Sequence, residues 1–119
     1  MMNESVMMCM KVELDRKAAA CRERQTLLAA DGRTDESIHA RIEQNVYEAF
    51  AAVLNAASKQ ADPVGFFRAR LEQIPTNWVK ARETALAHGD EEKAHVETIK
   101  LTAAEAIEAA LQRIMEEQA

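Results

Sequence analysis

Two short stretches of this chain carry residues that could do chemistry together. Each pairs a carboxylate with an imidazole three positions on: Glu36-Ser37-Ile38-His39 and Glu92-Lys93-Ala94-His95. On a helix this spacing puts both side chains on one face, one turn apart. Carboxylate oxygen and imidazole nitrogen donors suit iron or manganese. The third histidine, His88, stands apart from both motifs.

In motif count and helical composition the chain resembles ferritin-like di-metal carboxylate bundles, which use two Glu-x-x-His motifs and one Glu from each of two further helices. That resemblance implies a di-iron or di-manganese site at Glu36, His39, Glu92 and His95. Glu13 or Glu23 would then serve from the first helix, and Glu72 or Glu83 from the third rod. A plainer reading competes. Both motifs lie in the first turns of helices, where the helix dipole alone favours acidic residues.

Three other constellations bear on function. Met7-Met8-Cys9-Met10 offers thioether and thiol donors of the kind that hold Cu(I). At helical spacing the same methionines are ordinary core fillers, and Met7, Met8 or Met10 is also an expected alternative start of translation. Cys21 is flanked by Arg22 and Arg24, and nearby cations lower a thiol pKa. Its place on an apolar stripe equally fits an inert buried thiol. Phe66, Phe67 and Trp78 fall close to Arg68, Arg70, Lys80 and Arg82. Aromatics with arginine make interaction hot spots, so Phe66, Phe67, Arg70 and Trp78 form the expected protein-contact patch.

These residues need elements to hold them. The 119 residues include three glycines and two prolines, and none of the segments alternates with the period of a strand. The expectation is an all-α chain in one domain, residues 1–119. A first helix spans roughly 4–30, with Met7, Met10, Leu14, Ala18, Cys21 and Leu28 as its stripe, and ends at Asp31-Gly32. A second starts after a cap at Thr34 or Asp35 and buries Ile38, Ile42, Val46, Phe50, Val53 and Ala57. Asp62-Pro63 starts a third, with Val64, Phe67, Leu71 and Ile74 on one face. Pro75 ends it, and Thr76 or Asn77 caps a fourth that runs to Gly89. Asp90 caps the last, whose seam is Val96, Ile99, Ala103, Ile107, Ala110 and Ile114.

Three helices of about 26 residues, and two short ones that add up to a fourth, suggest an antiparallel four-helix-bundle-like domain whose third rod is broken at Pro75. The competing architecture is a three-helix core with the two short helices folded across it. In the bundle order the second and fifth helices run parallel, so the two Glu-x-x-His motifs can share one end. Alanine supplies 23 residues, and such small side chains bury little area each. Dimerisation recovers burial, so a homodimer is expected.

Charge narrows the partners. Fifteen basic against 20 acidic residues give a net charge of −5; the excess is mostly C-terminal, and neither half is a charged tail. A nucleic-acid binder needs a basic footprint, and none is present. No stretch approaches the ~18 apolar residues of a membrane span, and no secretory leader pattern opens the chain. Two cysteines 12 positions apart on one helix, about 18 Å, cannot pair. The expected setting is cytoplasmic. The stretch "AHGDEEKA" resembles the inter-helix turn of tetratricopeptide repeats over eight residues, but no 34-residue period follows and no function is carried over.

Together these observations favour a non-catalytic interaction, adaptor or regulatory component that acts as a homo-oligomer and uses no cofactor. The metal-carboxylate bundle is the runner-up, and a small-molecule-binding helical sensor the third reading.

Overall fold

The computed structural model describes residues 2–118, with side chains described from Glu4 onward. The described chain is all-helical. Its elements are α1 (Met2–Ala30), α2 (Thr34–Ala57), α3 (Pro63–Gln73), α4 (Pro75–Ala87) and α5 (Glu91–Gln118).

The two tight turns are built alike. After α1, the Arg33 N–H donates to Leu28 O (2.9 Å) and Gly32 N–H to Ala29 O (3.1 Å). After α4, the Asp90 N–H donates to Ala85 O (2.8 Å) and Gly89 N–H to Leu86 O (3.1 Å). This is the paired closure of a Schellman C-cap, which needs a left-handed residue. Gly32 and Gly89 supply it, with φ of 73° and 72°. Asp90 then caps α5 through Oδ1 to Lys93 N–H at 3.1 Å. Asp62 caps α3 through Oδ1 to Gly65 N–H at 3.2 Å.

Two expected caps differ. Thr34 and Asp35 lie inside the first turn of α2, and Arg33 occupies the cap position without a side-chain bond. The break before Pro75 is also gentler than a stop. Ile74 keeps helical dihedrals (φ −58°, ψ −46°) and donates to Arg70 O. No residue between α3 and α4 leaves the helical region, so Thr76 and Asn77 have no capping role. Counted by rods the chain has four, and counted by interrupted hydrogen bonding it has five helices. Proline removes one donor and crowds the preceding turn, and that is enough to divide the rod.

The three long helices touch one another pairwise, with α1 and α2 sharing the most extensive contact. The halves of the divided rod part company. α3 packs on α2 and α1, whereas α4 packs on α5. The largest fully buried side chains are Phe50, Phe67, Met10, Leu14, Ile107 and Cys21. Phe50 is the hub, edge-on to Phe67 at 6.2 Å and to Trp78 at 6.3 Å. Such pairs add ~0.5–1.5 kcal/mol beyond burial.

Most of the stripe positions are where their periodicity puts them. Met10, Leu14, Ala18 and Cys21 are buried, as are Val46, Phe50 and Ala57, and Ala103, Ile107, Ala110 and Ile114. Ile38, in the first two turns of α2, is the exposed exception at 51%. Among the described residues no helix is long and apolar enough to cross a membrane.

Candidate functional site

The aromatic patch divides on inspection. Phe67 is 1% exposed and belongs to the core, which corrects its assignment to a contact surface. The cause is helical phase: Phe67 shares a face with Val64 and Leu71, and all three point at α1 and α2. Trp78 is half-buried against Phe50. Phe66 is half-buried against the same cluster, and the Arg70 guanidinium lies 5.1 Å from its ring centre. Of the four, only Arg70 is exposed, and it also donates to Gln73 Oε1 at 3.2 Å.

The methionine-rich segment does not converge. Met10 is wholly buried, Met7 and Cys9 are half-buried against the core, and Met8 is 71% exposed. Four side chains on four sides of a helix cannot hold one ion. Met7 and Met8 instead border a groove of ≈ 350 Å³ with Lys11, Ala51, Leu54, Asn55 and Ser58.

Cys21 sits in a polar network between α1 and α2. Its Sγ lies 3.4 Å from Glu43 Oε2, and the same carboxylate oxygen accepts from the Tyr47 hydroxyl at 3.1 Å. Arg24 donates to the other oxygen of Glu43 at 2.9 Å. Burial pushes the Cys21 thiol up to about 11, and the Glu43 carboxylate adds to the rise against the weaker pull of Arg24. Tyr47 is pushed up for the same two reasons. Arginine beside cysteine in the sequence suggested an activated thiol. Glu43, one helix away, reverses the sign. The network orders the helix pair and leaves Cys21 a poor nucleophile.

The two Glu-x-x-His motifs do share one end of the molecule. The rings of His39 and His95 stand 4.8 Å apart, inclined at 73°. His39 is half-buried, whereas His95, Glu36 and Glu92 are exposed. Glu36 is engaged by Arg33, its neighbour three residues back. Glu13, the carboxylate offered first from α1, is elsewhere. Glu13 is held by Arg16 (2.9 Å), Lys17 (3.8 Å) and Arg113 (3.3 Å). Arg113 is 18 residues along α5 from His95, about 27 Å at the helical rise. Among the described residues, no three His, Cys, Asp or Glu side chains group to hold a metal ion. A di-metal carboxylate centre is therefore not assembled in this arrangement.

Next to His39 lies an open groove of ≈ 810 Å³ lined by Arg24, Leu27, Leu28, Asp31, Arg33, Glu36, His39 and Ala40. Leu27 is 64% exposed. The groove runs along the C-terminal end of α1 and the N-terminal end of α2. Sequence reading missed it, because it forms between the facing ends of two helices and their turn. Leu27, off the α1 stripe, was the available signal.

Glu97 was also missed. It is 6% exposed on α5, with Lys100 Nζ 3.3 Å from Oε1 and no partner on Oε2. Nothing in its sequence neighbourhood distinguishes it from the exposed acids of the same helix.

Compared with protein-family models, curated proteins and solved structures, the chain matches none.

Proposed function

We propose that this chain is a non-catalytic helical interaction component that works as a homodimer, formed across the groove at the α1–α2 turn. One observation carries the reading: the molecule exposes too much surface for its mass. Its accessible area is 7447 Å², against about 6,450 Å² for a compact monomer of this mass. The radius of gyration is 15.6 Å, against about 13.5 Å for a compact domain of this length. The excess of roughly 1,000 Å² is on the scale that one partner buries in a standard interface, about 800 Å².

The groove has the anatomy of such a surface. Leu27, Leu28 and Ala40 give it an apolar floor, and Arg24, Arg33, Asp31 and Glu36 give it a charged rim. The rim arginines are held within the chain, Arg33 by Glu36 and Arg24 by Glu43, so the apolar floor is what would meet a second copy across a two-fold axis. The excess area, close to one partner's share of a standard interface, favours that occupant. Further protein partners of an adaptor would use the half-buried Phe66 and the exposed Arg70 at the opposite end. The setting that fits is the cytoplasm, since both cysteines are free thiols.

The test is native mass spectrometry with the Leu27→Glu variant. The wild type is expected to be a dimer and Leu27→Glu a monomer of unchanged helicity. A monomeric wild type, or a Leu27→Glu dimer, overturns the reading.

A further inference from the structure

We propose that His39 and His95 together bind a single divalent transition-metal ion, of the zinc or copper(II) class, which clamps the start of α5 onto the start of α2.

The geometry is the first argument. A metal bound at ~2.0–2.1 Å from an imidazole nitrogen lies about 3.2 Å from that ring's centre. Two imidazoles on one metal at a near-tetrahedral angle therefore have centres about 5 Å apart. The observed separation is 4.8 Å, with the rings inclined at 73° rather than stacked. The second argument is placement. The two histidines come from helices separated by 56 positions in the chain, so a shared ion joins elements that the backbone does not. Neighbouring alanines, Ala40 and Ala94, are buried there and let the helices approach closely.

The surroundings suit a cation. Glu36 and Glu92 lie one turn before each histidine. The nearby guanidiniums are already committed, Arg33 to Glu36 and Arg24 to Glu43. With two protein donors, the remaining positions belong to water, so the site is open and mononuclear. Neutral imidazole favours zinc, copper and nickel over the oxygen-seeking magnesium and calcium. The clamp does not depend on dimerisation, because both ligands belong to one chain.

The experiment is calorimetric titration of the full-length, untagged chain with Zn(II) and with Cu(II), followed by electron paramagnetic resonance of the copper form. One ion per chain and a spectrum with two nitrogen ligands are expected. His39→Ala and His95→Ala should each weaken binding about 100-fold, since each removes one arm of a two-point attachment. His88→Ala, whose ring nitrogen instead contacts Thr84 O at 2.9 Å, should bind as the wild type does. His39→Gln guards against a folding defect in the alanine variant, and melting of the metal-bound wild type should occur at higher temperature than the metal-free chain. Affinity within about threefold of wild type in either His39 or His95 variant, or an equal loss in His88→Ala, overturns the site and leaves scattered surface histidines as the explanation.

Discussion

The two ends of this molecule are held together by different physics. At one end, the N-terminal half of α1, the C-terminal half of α2, α3 and the C-terminal half of α5 bury Met10, Leu14, Phe50, Phe67 and Ile107. At the other end, where α1 meets α2 through Gly32 and α5 begins, the buried apolar residues are small: Ala40 and Ala94. Between them lie Cys21, Glu43 and Tyr47, joined by hydrogen bonds. The first end is a close-packed core, where lost volume is felt directly. The second is a thin seam of alanine and polar contacts beside an open groove. The difference teaches where function is accommodated. The packed aromatic hub leaves only the half-buried Phe66 beside Arg70 at its edge, whereas the thin end exposes both the groove and the histidine pair.

The contrast can be broken most forcefully at the packed end. Phe50→Ala removes the shared partner of Phe67 and Trp78 and should cost ~3–5 kcal/mol in urea unfolding. A loss below ~1 kcal/mol would mean that the aromatic end is not the stabilising one. Next in size is Glu43→Ala. It leaves the buried Tyr47 hydroxyl without its acceptor, and an expected loss of ~1–3 kcal/mol follows.

The same network makes a pH prediction. The thiol of Cys21 titrates higher in the fold than its ordinary value of 9.0, at about 11. The neutral form is thus the one the fold favours. That contribution is complete below pH 9 and is lost as pH rises toward 11. Tyr47, raised from 10.0, adds to the decline above pH 10. Unfolding free energy measured from pH 8 to 11 should fall, and Cys21→Ala should flatten the segment between pH 9 and 10. An unchanged slope in that variant would remove Cys21 from the account.

Smaller effects sharpen the comparison. Asp62→Ala deletes the only side-chain cap of α3 and should lower stability by ~1 kcal/mol. Leu27→Ala, at the thin end, should change monomer stability by no more than ~0.5 kcal/mol, since Leu27 is 64% exposed. A large loss there would mean that the groove is part of the core.

Much of the fold is legible in the sequence, for local reasons. Helix periodicity places Met10, Leu14 and Cys21 on one face of α1, and a left-handed glycine marks both tight turns. These are properties of residues within a few positions of one another. Phe67 shows the limit. Its type suggests a hot spot and its phase suggests core, and only the position of α2 chooses between them. Cys21 shows it more sharply. Its sequence neighbours Arg22 and Arg24 point to a lowered pKa, but Glu43 arrives from 22 residues away and the thiol is raised. Glu97 could not be told from its exposed neighbours at all.

The sequence by itself determined the helices, the two glycine-closed turns and most of the faces the helices bury, because hydrogen bonding within a helix and glycine C-caps are short-range. Tertiary structure decided what those faces meet. It sent α4 to α5 and opened the groove, set His39 against His95, and placed a carboxylate on a thiol. Each of these rests on the relative placement of helices, and a pairing across the chain depends on how all the faces fill space together.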